Sequence, residues 1–245
     1  MWKLAGNAVR RGSPTPLNVG LGPFRRFDWT RLPFDEVRAV GRRYGGTVND
    51  VVLAVATGAV RNLLQRRGTD VEHLDFRAVV PVSVRGSAER SALGNRVSEL
   101  IATLPIAEQD PHRRLEAVVE LTRDLKSSGE SGAGELLAQG FDLLPSRLLG
   151  PLFRLASRAS VANMIITNVP GPRVPVYLLG ARQLATYPVV PLMEHQTLGI
   201  ALMSYEDGLF WGFNADWDAV PELHGVVEDV ESGFAQLAGS ASGTT

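Results

Sequence analysis

The spacing of apolar positions along the chain predicts four helices at clear positions. The longest covers residues 48–67, where apolar side chains recur at helical spacing: Val48, Val52, Val55, Ala59 and Leu63. Before it, Leu32-Pro33-Phe34-Asp35 opens a helix to about Tyr44, which the glycines at 45 and 46 stop. Asp110 suits the N-cap and Pro111 the first turn of a helix over 111–126, and Pro221 opens a last one to residue 238. Residues 135–160 also read as helical, with a break near Gly150-Pro151.

Short runs rich in Val, Ile and Leu, bounded by turn residues, predict strands. They cover residues 76–84, 95–104, 162–168, 173–179, 181–187, 197–205 and 209–215, and Glu206-Asp207-Gly208 joins the last two as a hairpin. Helices and strands do not alternate strictly. The order therefore predicts an α/β domain with a mixed sheet in two layers, rather than a doubly wound parallel sheet.

The first 31 residues show Gly, Pro and Arg without clear periodicity, which predicts an extended lead-in or inter-domain linker. Phe24, Phe27 and Trp29 are candidate anchoring side chains within it. One domain is expected over residues 32–238. Residues 239–245 are small and polar, and we expect a disordered tail there.

Composition excludes several classes of function. With 25 basic and 26 acidic residues the net charge is −1, so the sequence predicts no nucleic-acid partner. The absence of Cys excludes disulfides, thiolate nucleophiles and Cys-ligated metals, and the four histidines show no metal-ligand spacing, so no metal site is expected. No Gly-x-Ser-x-Gly, Walker-type loop or Gly-x-Gly-x-x-Gly occurs.

No apolar run reaches the length of about 18 residues that a bilayer span needs, and the N-terminus lacks the apolar stretch of a signal peptide. We therefore expect a cytoplasmic protein, either free or peripheral to the inner membrane face or to lipid droplets. Residues 143–160 would carry such a contact, because an apolar stripe there lies beside arginines at 147, 154 and 158. The favoured alternative is an amphipathic helix that covers the sheet.

Polar residues at the start of the long helix are the first candidates for chemistry. Thr47 and Asp50 fit a capping box, in which each side chain bonds to the other residue's backbone. Capping does not explain Asn49, whose amide must be placed on a helix with apolar faces. Asn49 is therefore a candidate functional residue.

A second polar stretch, Asn168-Val169-Pro170-Gly171-Pro172, ends the apolar run from Ala162 to Thr167. Proline followed by glycine at the central positions predicts a type II turn that needs no function. Asn168 then either caps this turn or belongs to a site, and both interpretations stay open.

These stretches together resemble the C-terminal half of the bacterial wax ester synthase/diacylglycerol acyltransferase family. That family carries an Asn-Asp pair at the start of a long helix, matched by Asn49 and Asp50. It also has stretches similar to residues 80–85 (Val-Pro-Val-Ser-Val-Arg), 93–96 (Leu-Gly-Asn-Arg) and 167–172 (Thr-Asn-Val-Pro-Gly-Pro). Each motif is short, but their order matches over residues 14–237.

The resemblance implies one half of the chloramphenicol-acetyltransferase-like fold, in which two similar domains face each other across a tunnel. Acyl-CoA, as co-substrate and with no further cofactor, and a lipid alcohol would meet there to form triacylglycerol or wax esters. It makes Asn49 the first candidate for binding the oxyanion or orienting the base, with Asp50, Asn95 and Asn168 in support. Arg85 would contact a CoA phosphate.

The chain departs from the family pattern because it contains no His-His-x-x-x-Asp-Gly, the motif with the general base. We therefore expect the catalytic His to come from an N-terminal half, in cis or in trans. The alternative is a non-catalytic lipid-binding or interaction module, left after loss of that half.

Overall fold

The computed structural model describes residues 12–83, 97–127 and 162–239. Strands and helices follow one another in the order β1 (Arg25–Pro33), α1 (Phe34–Arg43), α2 (Val48–Arg66), β2 (Arg77–Ser83), β3 (Val97–Thr103), α3 (Pro111–Ser127), β4 (Met164–Val169), β5 (Tyr177–Leu178), β6 (Ala181–Arg182), β7 (Leu198–Tyr205), β8 (Gly208–Asp216) and α4 (Leu223–Gly239).

Six strands form one mixed sheet in the order β1-β8-β7-β4-β2-β3. β4 pairs in parallel with β2 on one side and with β7 on the other, and the remaining pairs are antiparallel. β5 and β6 form a separate two-stranded hairpin. The mixed α/β fold expected from the sequence is confirmed.

The helices pack on one face of this sheet and enclose the main core. Leu198, Ile200 and Leu202 of β7 face the helices, as do the odd-numbered residues of β8 from Leu209 to Ala215. α2 contacts both α3 and α4, and nearly all its residues from Asp50 onward are buried. Among the described helices, none is long and apolar enough to cross a lipid bilayer.

The direction of α2 decides where its polar N-terminus lies. Arg67, just after α2, donates to Glu222 and to the Ala219 carbonyl, in the connection between β8 and α4. β8 ends beside the start of β7, where the Asp216 amide donates to the Thr197 carbonyl. α2 is about 28 Å long and so spans the sheet. Its N-terminus therefore lies at the opposite edge, where the parallel strands β2, β4 and β7 finish. We name this the carboxyl edge.

The strand β1 was not predicted, because residues 1–31 were expected to form a linker. Residues 25–33 instead pair with β8 along their whole length, from Arg25 opposite Asp216 to Pro33 opposite Gly208. Leu32 packs into the core while Trp29 lies on the other face, half exposed. This strand depends on a partner almost two hundred residues away, so local periodicity does not reveal it.

A segment over residues 183–193, here named the strap, crosses the sheet face that the helices leave uncovered. A Cβ at Gly212 would lie 1.9 Å from the Pro188 carbonyl oxygen, and one at Gly199 would lie 2.7 Å from Val190. Asn214 donates to the Val190 carbonyl at 2.9 Å. The strands predicted over 173–179 and 181–187 shrink to β5 and β6, because the ladder between them holds only two residue pairs, Tyr177 with Arg182 and Leu178 with Ala181.

Candidate functional site

Asp50 is held firmly at the start of α2. Its Oδ2 accepts hydrogen bonds from the Thr47 amide at 2.7 Å and the Thr47 hydroxyl at 2.8 Å, and its Oδ1 accepts from the Thr122 hydroxyl of α3 at 2.7 Å. The side chain is only 2% exposed. The predicted capping box is present. Because both carboxylate oxygens are occupied, Asp50 fixes the α2 N-terminus against α3.

Asn49, its neighbour, is half-buried and lacks such partners. Within the part of the chain that the structure describes, its side-chain amide makes no hydrogen bond. It lies in the first turn of α2, where free backbone N–H groups and the helix dipole favour a negative charge. An amide donor at this position could contact an oxyanion or orient a base.

Asn168 lies near the end of β4, at the same edge of the sheet. It pairs through the backbone with Leu202, and alternation along β4 places its side chain on the helix face, like Met164 and Ile166. Asn168 is half-buried, and its side chain makes no hydrogen bond to the described residues. The fold thus brings the first turn of α2 and Asn168 to one edge and one face of the sheet.

The type II turn predicted at Pro170-Gly171 is wrong, since Gly171 does not have the positive φ that such a turn requires. Its glycine is explained by a close approach instead. A Cβ there would lie 2.1 Å from the Ser204 carbonyl oxygen, and the Gly171 amide donates to Ser204 Oγ at 3.1 Å. With no such turn to cap, capping no longer explains Asn168.

Arg85 and Asn95 lie outside the described residues, as do Arg147, Arg154 and Arg158. Their proposed roles stay predictions.

Sequence reasoning missed Arg173, which directly follows the Asn168–Pro172 stretch. Its guanidinium carbon lies 4.2 Å from the centre of the Phe34 ring, and an Nη is 3.9 Å from Asp35. This ion pair is long and the side chain is half exposed, so the guanidinium could also contact an anion. Its place immediately after the motif is the only sequence feature that marks it.

Nearby, Arg31 donates to Asp207 in the β7–β8 turn at 2.9 Å, and this hydrogen bond lowers the pKa of Asp207 below its ordinary value. Arg182 pairs with Glu206 in the same turn. The carboxyl edge therefore carries several arginines beside Asn49 and Asn168, whose side chains make no hydrogen bond to the described residues.

Two family models match this chain. The WS/DGAT C-terminal domain matches residues 93–238, more than half of the chain. The wax ester synthase/diacylglycerol acyltransferase catalytic domain matches residues 3–52, which include Asn49 and Asp50.

Similar curated proteins include a probable diacylglycerol O-acyltransferase (tgs1) of Mycobacterium tuberculosis H37Rv, 34% identical over 225 residues. The match covers 90% of this chain and 48% of that protein. The chain thus spans about half the length of the curated relatives it matches.

Solved structures agree on the fold. A wax ester synthase/diacylglycerol acyltransferase from Marinobacter aquaeolei VT8 superposes with a TM-score of 0.72 at 28% identity, over 94% of this chain and 52% of that one. The PapA2 acyl transferase matches with a TM-score of 0.57 at 13% identity, over 96% and 50% of the two chains. At that identity the second match shows a shared fold alone.

Proposed function

Because the chain belongs to the wax ester synthase/diacylglycerol acyltransferase family, we propose that it forms the C-terminal half of an acyl-CoA-dependent O-acyltransferase. Its products would be triacylglycerol from diacylglycerol, or wax esters from a long-chain alcohol. The sequence contains no His-His-x-x-x-Asp-Gly, so the catalytic His would come from the N-terminal catalytic half, in cis or in trans.

The observation that supports this proposal is the Asn49 amide at the carboxyl edge, which has no hydrogen-bond partner in the described ranges and lies on the same sheet face as Asn168. In the reaction, the acceptor hydroxyl gives its proton to the His of the catalytic half while its oxygen bonds to the thioester carbonyl carbon. The carbonyl oxygen becomes negative, and the C–S bond then breaks as the CoA sulfur takes the proton back. Asn49 would donate to that oxyanion, or to the imidazole, close to the positive end of α2.

The test pairs this chain with the catalytic half of a family member and measures acyl transfer from acyl-CoA to diacylglycerol or hexadecanol. Loss of one preorganised donor should lower kcat by about 10²–10³-fold, so Asn49→Ala should show a loss of this size. Asn62→Ala is the matched control, since Asn62 lies on the same helix but bonds to Asp229 at the surface. Full activity of Asn49→Ala in an active pair would remove Asn49 from the mechanism.

Acyl-CoA would also need cationic partners for its phosphates. Arg85 is the candidate from the family resemblance, and Arg173 is an additional one because it lies half exposed at the carboxyl edge. Replacement of either by Ala should raise the KM for acyl-CoA more than it lowers kcat. A change in kcat alone would contradict this role.

A non-catalytic lipid-binding or interaction module is the second candidate, and the missing general base favours it. Such a module would bind a fluorescent fatty acid without turning over acyl-CoA in any pairing. An in-frame His-His-x-x-x-Asp-Gly in the DNA immediately upstream would favour the enzyme, and its absence would favour the module.

The location would be cytoplasmic, either free or peripheral to the inner membrane face or to lipid droplets, and residues 143–160 are the candidate contact segment in the second case. Flotation with vesicles that contain anionic lipid measures this contact. Replacement of Arg147, Arg154 and Arg158 by Gln should weaken this contact. Unchanged flotation would instead favour the interpretation of residues 143–160 as an amphipathic helix that covers the sheet.

A further inference from the structure

The β5–β6 hairpin exposes large apolar side chains at its tip. Tyr177, Leu178 and Leu179 are 59%, 76% and 100% exposed. Val174 and Leu184, which flank the hairpin, are also largely exposed. Single exposed apolar residues are ordinary, but consecutive ones at the end of a projecting hairpin indicate a contact surface.

The backbone conformation at the hairpin tip is also unfavourable for one of the residues that occupy it. Leu179 has φ +51° and Gly180 has φ +85°, so both central residues of this two-residue turn are left-handed, as a type I′ turn requires. Asn, Asp or Gly usually takes the first of these positions, and a leucine there is strained. The free domain gains no burial from Leu179 in return for that strain.

The base of the hairpin, in contrast, is fixed to the sheet. The buried Tyr205 hydroxyl accepts from the Val176 amide and donates to the Gln183 carbonyl, both at 3.0 Å. Arg182 donates to both carboxylate oxygens of Glu206, at 2.7 Å and 3.0 Å. An apolar tip on a rigid base is preorganised for binding, since little freedom is left to lose.

Tyr205 and Glu206 stand at the end of β7, so the hairpin is held at the carboxyl edge, where Asn168 also lies. The curated relatives are about twice as long as this chain, and under the proposed function their additional length would hold the catalytic half. We propose that the hairpin tip, Leu178 and Leu179, is a docking arm that inserts into an apolar pocket of that catalytic half. This inference rests on the proposed function, because it needs such a partner.

The test measures binding of the isolated catalytic half of the Mycobacterium tuberculosis relative to this chain by calorimetry. Leu179→Asn should raise the Kd at least tenfold. The same change should leave the isolated chain as stable as before or make it more stable, because Asn tolerates the left-handed backbone. If Leu179 served only the stability of the chain, Leu179→Asn would lower that stability and leave the Kd unchanged.

Val19→Asn is the matched control. Val19 is exposed, but its neighbours Leu17 and Asn18 bond to Thr197 and His195 at the start of β7, the opposite end of the domain. Its Kd should equal that of the unaltered chain. Equal binding by Leu179→Asn, or equal weakening by Val19→Asn, would overturn the docking arm, and so would the absence of any binding by the unaltered chain.

Failure of this inference can be told apart from failure of the proposed function. If the pair transfers acyl groups and the catalytic half binds the Leu179→Asn chain as tightly as the unaltered chain, the docking arm is refuted and the proposed enzymatic function stands. If the pair binds through Leu179 but transfers no acyl group from acyl-CoA, the docking arm stands and the proposed enzymatic function is refuted.

Discussion

Asn49 and Asp50 are adjacent in the sequence, but their side chains differ in the hydrogen bonds that they make. Asp50 accepts three hydrogen bonds that join the loop before α2 to α3, whereas Asn49 makes none within the described residues. A role in folding and a role in chemistry are therefore separable here by mutation.

We predict that Asp50→Asn lowers the free energy of unfolding by about 1–3 kcal/mol, since an amide nitrogen would face buried donors. Asn49→Ala should change it by less than about 0.5 kcal/mol. Urea unfolding followed by circular dichroism measures both. Equal losses would mean that Asn49 has a structural partner, and its catalytic role would lose its basis.

A second prediction at the scale of single residues concerns Gly171. Gly171→Ala puts a Cβ against the Ser204 carbonyl of β7, and such overpacking should cost about 1–3 kcal/mol. Gly233→Ala, inside α4 with Val55 at an ordinary 3.9 Å, should instead stabilise by about 0.4–1 kcal/mol. Thermal unfolding of the two variants measures these changes in stability, which should have opposite signs. If Gly171→Ala left the stability unchanged, the close approach of residue 171 to Ser204 would be refuted.

At the scale of elements, the sequence predicted what depends on local patterns and missed what depends on distant partners. α2 and the β7–β8 hairpin follow from apolar spacing and a turn of Glu, Asp and Gly. β1 does not, because its identity comes from pairing with β8. The strap does not either, because its extended residues pack on Gly199 and Gly212 instead of joining a strand.

The candidate site shows the same division. Asn49 is predictable from the sequence because helix capping does not explain it, and Asn168 because it follows a buried apolar run. Their meeting at one edge follows from the direction of α2, which contacts such as Arg67 with Glu222 determine. Those contacts join residues 155 positions apart, so no sequence window contains them.

The contact between β1 and α4 carries a pH dependence. His224 Nδ1 lies 2.8 Å from Asp28 Oδ2, and this hydrogen bond, with the negative charges of Asp28, Glu228 and Glu231, raises the pKa of His224 above its ordinary value. Because the folded pKa exceeds the unfolded one, the contact stabilises fully below the unfolded pKa of about 6.5. That stabilisation is lost as the pH rises through the folded pKa.

Urea midpoints measured from pH 5 to pH 9 test this. His224→Gln should lower the midpoint at pH 5 and approach the unaltered chain at high pH. In an Asp28→Asn background the same substitution should lose most of its effect, since the main partner is gone. A difference that grows with pH would refute the contact as the cause.

At the scale of the whole molecule, the two faces of the sheet differ in how well they are covered. On the helix face, α2, α3 and α4 cover the main core. On the other face the strap buries Gly199 and Gly212. Trp29 contacts Tyr187 there with its ring tilted by 47° and the centroids 5.7 Å apart, and it stays half exposed. Together with the docking arm, this face presents most of the exposed apolar side chains among the described residues.

We therefore predict that the isolated chain associates with itself and binds a hydrophobic dye, because exposed apolar patches of this kind are rarely left open in a soluble monomer. Addition of the catalytic half should reduce both signals, since burial of the arm removes the surface that causes them. Leu178→Ser with Leu179→Asn should reduce them without the partner, while Val19→Asn should leave them unchanged. Sedimentation velocity and dye fluorescence measure this. A monodisperse monomer that binds no dye would show that the exposed hairpin and sheet face are compatible with free solution, and the case for a missing partner half would then rest on the relatives alone.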